Sequence, residues 1–123
     1  MAEGHRSSED YLEAILMIRQ DKGSCRSVDV ASHLGFSKPS VSVAVGKLVD
    51  SGCVERMDDG QLMLTEKGFA IASETLNKHR LLTDVFCALG VSPETAEHDA
   101  CLIEHSLSEE TYEKLRAFWH SRC

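Results

Sequence analysis

Three side chains able to bind a metal stand close together in the run Asp99-Ala100-Cys101-Leu102-Ile103-Glu104-His105. On a helix, Cys101, Glu104 and His105 fall at i, i+3 and i+4 and share one face, so a thiolate, a carboxylate and an imidazole converge within about one turn. This is a donor set for a first-row transition metal, whereas calcium or magnesium would ask for oxygen alone. The same residues also fit a plainer arrangement, a buried cysteine beside a surface Glu-His pair. Leu102 and Ile103 fall on other faces and are expected to point toward a core. Asp10 and Glu13 repeat the i, i+3 spacing near the start of the chain. Two carboxylates held close repel unless a cation lies between them, although an acidic first turn favoured by the helix dipole looks the same in sequence. His79 sits in the middle of a long helical pattern, where it reads either as a ligand or as a hydrogen-bonded core histidine.

The elements that must position these groups follow from periodicity and punctuation. Tyr11, Leu12, Ile15, Leu16 and Ile18 recur at helical spacing after Ser7 and Ser8, either of which suits a cap, and the helix is expected to end near Asp21-Lys22-Gly23. Val28, Ala31 and Leu34 predict a second, short helix closed by Gly35. Ser37, followed by Lys38-Pro39, predicts the start of a third helix with a buried stripe of Val41, Val45, Leu48 and Val49, stopping at Ser51-Gly52. Two short extended runs, Cys53 to Met57 and Gln61 to Leu64, flank Asp58-Asp59-Gly60, a strong hairpin signal. Thr65 is expected to cap a long helix to about Leu89, with Phe69, Ala72, Leu76, Leu82, Val85, Phe86 and Leu89 along one side and Gly90 at its end. Ser92-Pro93-Glu94 opens a helix to about Leu107, and Ser108-Glu109-Glu110 opens a last one with Tyr112, Leu115, Phe118 and Trp119 on one face.

Helix, glycine-containing turn, helix and hairpin is the order of a winged helix-turn-helix, whose second motif helix enters the major groove. The exposed side of the third helix would present Ser37, Lys38, Pro39, Ser40, Ser42, Val43 and Lys47. Hydroxyls and lysines bind phosphate oxygens, and Ser40 or Val43 would reach a base edge or a thymine methyl. This helix carries no arginine, so affinity is expected to rest on backbone contacts and on two copies. A solvated face of a protein-interaction domain is the blander reading. The fold class expected is mainly α, a winged helix-turn-helix with a short β-hairpin wing plus a helical dimerisation domain, divided into residues 1–65 and 66–123.

Bulk properties set the limits. The chain has 123 residues, 42% of them hydrophobic, enough for one modest core or two small ones sharing a long helix. No apolar run is long enough to span a bilayer and the start, MAEGHRSSEDY, lacks the features of a secretion signal, so a cytoplasmic location is expected. Cys25, Cys53, Cys87, Cys101 and Cys123 are odd in number and scattered, against a disulfide framework or a structural zinc knuckle. Cys25, Cys53, Cys87 and Cys123 read as structural or incidental. The net charge of -7 argues against nucleic acid only globally, because residues 37–49 hold two lysines and no acid while carboxylates gather near 9–13 and 94–113. The apolar faces at Leu102, Ile103, Leu107, Leu115, Phe118 and Trp119 exceed what one long helix covers and are candidates for a two-fold interface.

Five motifs in order, Ser8-Glu9-Asp10-Tyr11-Leu12-Glu13, Ser37-Lys38-Pro39-Ser40-Val41-Ser42, Leu64-Thr65-Glu66-Lys67-Gly68, Lys78-His79-Arg80-Leu81-Leu82 and Asp99-Ala100-Cys101…Glu104-His105, resemble the diphtheria-toxin-repressor and manganese-transport-regulator family over residues 8 to about 120. The resemblance implies a homodimeric, metal-activated repressor of palindromic operators near genes of metal uptake or homeostasis. Carried over by position, it implies Asp10, Glu13, His79, Cys101, Glu104 and His105 as ligands. Asp10 matches the manganese-responsive branch and Cys101 the iron-responsive one, where the first-helix position is typically methionine, so Fe2+ and Mn2+ both stay open, with Zn2+, Co2+ or Ni2+ able to substitute. Thr83 stands where the iron branch has an acidic residue, so that branch's ancillary site does not transfer intact. A chain ending at Cys123 also leaves no SH3-like third domain, and a two-domain architecture like the manganese branch is expected. Metal would then tie the first helix to the dimerisation helices and fix the spacing of two recognition helices.

Other classes predict other behaviour. A thiol-based redox-sensing winged-helix regulator would release DNA on peroxide treatment with no metal requirement. A small metalloenzyme needs an open coordination position and a general base, and no nucleophile motif or phosphate loop accompanies the cluster, so no enzymatic activity and no small organic substrate are expected. A pure dimerisation module would have no affinity for DNA.

Overall fold

The computed structural model describes residues 2–122, with side chains from Ser8 onward. The chain folds into two compact units, residues 1–73 and 74–123, which meet within the helix that begins at Glu66. No described helix is long and apolar enough to cross a membrane.

In the first unit, α1 (Ala2–Lys22), α2 (Ser27–Leu34) and α3 (Lys38–Asp50) pack on one another, and β1 (Val54–Arg56) pairs antiparallel with β2 (Leu62–Leu64). Leu12 and Ile15 of α1, Val30 of α2, Val41 and Val45 of α3 and Leu62 of β2 are fully buried, the apolar stripes closing on a common core. α1 begins at Ala2, ahead of the start expected after Ser7 or Ser8, so neither serine is its cap; the Ser7 side chain lies outside the described residues. Residues 2–8 carry no apolar stripe from which periodicity could find the start of the helix. Two expected core positions are corrected. Val28 is exposed, with Val30 and Ala31 taking the inward face of α2, and Val49 on α3 is exposed beyond Leu48.

Ser37 caps α3 as expected, its Oγ accepting from the Ser40 amide at 3.3 Å, with Pro39 in the first turn. The hairpin has the register Val54↔Leu64, Glu55↔Met63 and Arg56↔Leu62, and turns at Gly60, whose φ of 89° lies in the region glycine tolerates. A third extended stretch joins it. Arg26 bridges Gln61, the Leu62 amide donates to Cys25 O at 2.7 Å, and the Arg26 guanidinium donates to Asp59 O, anchoring the wing to the start of α2.

α4 (Glu66–Ala88) is locked to the base of the wing by its first turn. The Thr65 amide donates to Cys53 O at 3.0 Å, the Thr65 hydroxyl donates to Gly52 O at 2.6 Å and accepts from the Gly68 amide at 3.1 Å, and Lys67 Nζ donates to Ser51 O at 3.0 Å.

The second unit holds the rest of α4 with α5 (Pro93–Ile103) and α6 (Glu109–Ser121). Ser92 and Ser108 cap α5 and α6 by accepting from the Thr95 and Thr111 amides. Gly90, at φ 100°, ends α4 as expected. Phe69 and Leu89 are exposed rather than part of a buried stripe on α4, and Leu81 takes an inward position beside Leu82. α5 stops at Ile103, short of Leu107, because the Ser106 and Leu107 amides both turn back onto Ile103 O before the Ser108 cap. Leu102 and Ile103 do not point into a core. Ala96, Ala100 and Glu104, spaced four apart, take the inward face and leave Leu102 and Ile103 exposed in the single chain together with Phe118.

Candidate metal centre and nucleic-acid interface

In the second unit, α4 supplies His79 and the end of α5 supplies Cys101, Glu104 and His105. Glu104 is the C-cap of α5 and still helical, at φ -55° and ψ -31°, its amide bonded to Ala100 O at 2.9 Å. His105 lies in the turn just beyond, so the face expected to carry all three groups is completed by the exit turn rather than by the helix itself. The Glu104 side chain is fully buried. Its Oε2 lies 2.9 Å from His79 Nδ1 and its Oε1 lies 3.3 Å from His105 Nε2, while Cys101 Sγ and a Glu104 carboxylate oxygen come within 4.8 Å. Four of the residues singled out by spacing and resemblance are thus brought together around one carboxyl group.

Burying a carboxyl group is costly unless charge or hydrogen bonds compensate. Glu104 Oε1 makes no hydrogen bond of proper geometry among the described residues, although it faces an imidazole. A pocket of two imidazoles, a thiol and a buried carboxyl oxygen left for another partner fits a divalent first-row cation.

In the first unit, Asp10 and Glu13 lie one turn apart on α1, Asp10 half-buried and Glu13 buried.

Glu97 is a residue that spacing could have revealed and did not. It precedes Cys101 by four residues and Glu104 by seven, on the same face of α5, and its Oε1 lies 3.6 Å from His79 Nε2. Nearby, the hydrogen bond and charge of Glu74 push the Glu109 carboxyl up, partly offset by Lys78, which also lies 5.6 Å from the centre of the Tyr112 ring.

The other thiols do not assemble a comparable centre among the described residues. Cys25 is fully buried, and burial, with a smaller push from the Asp29 charge, raises its thiol to about 11, so it stays protonated and unreactive at neutral pH. Cys53 is buried, Cys87 is exposed, and Cys123 lies outside the described residues.

On the other functional surface, α3 exposes Lys38, Pro39, Ser40, Ser42, Val43 and Lys47, while Val41, Val45 and Leu48 hold the opposite face in the core. Ser37 is also exposed, but its hydroxyl is engaged at the cap and with Ser40 Oγ at 2.9 Å, so it sets where the helix begins. Val43 is 61% exposed, an apolar side chain in water on the side of the helix that also exposes the Ser40 and Ser42 hydroxyls and the Lys47 ammonium. An open groove runs beside it, lined by Ser8, Tyr11, Pro39, Ser40, Val43 and Lys47.

Comparison with known proteins matches both halves of the chain. Residues 5–62 match the N-terminal DNA-binding domain of the iron-dependent repressors, and residues 65–121 match their metal-binding and dimerisation domain. The transcriptional regulator MntR of Escherichia coli O6:H1 is 36% identical over 118 residues, spanning 94% of this chain and 76% of the relative. Among solved structures, the manganese regulator SloR superposes with a TM-score of 0.79 at 28% identity over 92% of this chain, and the IdeR protein of T. acidophilum with 0.80 at 26% over 91%. In both cases this chain covers 53% of the solved chain, about half its length.

Proposed function

Since the chain belongs to the iron-dependent repressor family, a family of DNA-binding transcriptional regulators rather than enzymes, we propose that it is a cytoplasmic repressor whose homodimer binds palindromic operators of metal-uptake or homeostasis genes when Mn2+ or Fe2+ is bound. The observation that carries this reading is the buried Glu104 carboxyl set between His79 and His105 in the part of the chain that matches a metal-binding domain.

His79, Cys101, Glu104 and His105, together with Asp10 and Glu13 as the family resemblance implies, would hold the cation. When bound, it supplies positive charge that balances these carboxylates. Cys101 adds a soft donor that favours Fe2+, Zn2+ or Co2+ more than an all-oxygen set would, while Asp10 and Glu13 keep Mn2+ competent. The exposed Leu102, Ile103 and Phe118, flanked by the half-buried Leu107, Leu115 and Trp119, are the apolar surface that a second copy would cover. A two-fold dimer presents two α3 helices and so asks for an operator with matching symmetry. Residues 1–65 then carry DNA recognition and residues 66–123 metal binding and dimerisation.

On α3, Lys38 and Lys47 would bind phosphates, with Ser40, Ser42 and Val43 toward the bases. Lys38→Ala and Lys47→Ala should each weaken binding of the metal-loaded protein about equally on all DNA sequences, and lower the slope of log affinity against log salt by about 1 for each phosphate no longer neutralised. Titrations of labelled operator at several salt concentrations test this. An unchanged slope in both variants would remove α3 from the interface.

A further inference from the structure

We propose that Gly46 is a docking residue of α3: its missing side chain lets the sugar–phosphate backbone of one DNA strand come up against the helix, on the side of Val43 away from Lys47. The inference rests on the reading of α3 as the helix that enters DNA and goes beyond it, because that reading gives Gly46 no part.

The fold itself does not ask for glycine here. Gly23, Gly35, Gly52, Gly60 and Gly90 sit at positive φ, and Gly68 has the Cys53 carbonyl against it. Gly46 has neither reason: it lies within α3, its φ is not positive, and a Cβ at this position would meet no atom within 4 Å. Inside a helix, glycine is the least favourable residue after proline, because it loses the most backbone freedom on folding. α3 therefore gives up stability at a position where alanine would fit, which points to something outside the chain that comes close.

The place of Gly46 on the helix says what that is. Val41, Val45 and Leu48 face the core, and Gly46 lies on the other side, one turn after the exposed Ser42 and Val43. With about 3.6 residues per turn, Lys47 is turned about 40° to one side of Val43 and Gly46 about 60° to the other. A helix with its side chains is about 10–12 Å across and the major groove about 12 Å wide, so a helix laid in it with Val43 toward the bases is close to a strand on each side. Lys47 meets one strand with a charge that attracts phosphate. Gly46 meets the other with bare main chain, the usual service of glycine where a backbone and a ligand approach closely. Asp50, the only acid of α3, shares this side but is the last residue of the helix, beyond the part that reads DNA.

Gly46→Ala and Gly46→Leu both place a good helix former at this position and differ in size. In full-length protein with chelator, each should raise Tm by about 2–6 °C. With saturating Mn2+, affinity for a labelled fragment from upstream of the protein's own gene should fall by about 5–100-fold for Ala and further for Leu. A role in the fold alone would move stability and DNA affinity in the same direction, and here they move in opposite ones. Mn2+ affinity, by competition with a fluorescent chelator, should stay at the native value in both variants.

Variants that bind the fragment as native protein does, or that lose binding together with a fall in Tm or in Mn2+ affinity, would overturn the role of Gly46. The DNA reading of α3 would then still stand on the salt slopes of Lys38→Ala and Lys47→Ala. Native metal-loaded protein with no affinity for duplex DNA at low salt would overturn that reading, and this inference with it.

Discussion

Replacing Glu104 by glutamine is expected to leave the fold intact and yet abolish the stabilisation that Mn2+ gives the native protein. The substitution keeps the volume of a side chain that is fully buried, and gives the pocket a neutral group that still hydrogen-bonds to His79. A buried carboxyl with one oxygen lacking a proper hydrogen bond is a poor contributor to stability without a cation, so the metal-free variant should be as stable as native protein or slightly more so. The metal response should change far more. A cation at 100 times its dissociation constant stabilises the folded state by about 2.7 kcal/mol, roughly 8–15 °C in Tm for a chain of this size. Thermal unfolding with chelator and with saturating Mn2+ should show that rise in native protein and almost none in Glu104→Gln. A variant stabilised by Mn2+ as much as native protein would show that Glu104 is not at the centre.

Gly68→Ala should have the largest effect on stability, for a steric reason. A methyl group at this position would lie 2.0 Å from Cys53 O and 2.9 Å from Cys53 C, both backbone atoms that cannot swing aside. Gly68 is helical, so the need is for close approach and not for an unusual φ. Relief requires moving the first turn of α4 off the wing, which strains or breaks the Thr65, Gly68 and Lys67 hydrogen bonds to one another and to residues 51–53. Overpacking costs about 1–3 kcal/mol and each broken hydrogen bond about 0.5–1.5 kcal/mol, so a total of roughly 3–6 kcal/mol is expected. That is a large part of the stability of an ordinary domain. Urea unfolding of metal-free protein measures it, and a decrease under about 1 kcal/mol would mean that α4 and the wing are not joined as described.

Most of the fold was legible wherever a local rule applied. Ser37, Ser92 and Ser108 each precede a helix and each is seen to cap it, and Asp58-Asp59-Gly60 makes the turn between two strands. What was not legible depended on partners distant in sequence. The bridge of Arg26 to Gln61 and the burial of Leu81 leave no periodic trace. Helix ends shifted where the sequence is polar, at Ala2, or where an exit turn replaces helix, at Ile103. The face that carries Cys101 and Glu104 survived that shift because Glu104 keeps helical dihedrals as the cap. Glu97 has the right spacing and was passed over because an exposed acid on a helix looks like ordinary surface. Its approach to His79 depends on a ring from another helix.

The central claim is that metal switches DNA binding. Its most direct test is fluorescence anisotropy of a labelled fragment from upstream of the protein's own gene, titrated anaerobically with protein in chelator and then in Mn2+ or Fe2+, beside a fragment of scrambled sequence. The account predicts tight binding only with metal and only to the native fragment, with the more effective ion indicating which branch of the family the protein follows. Equal affinity for the native fragment with metal and with chelator would contradict it.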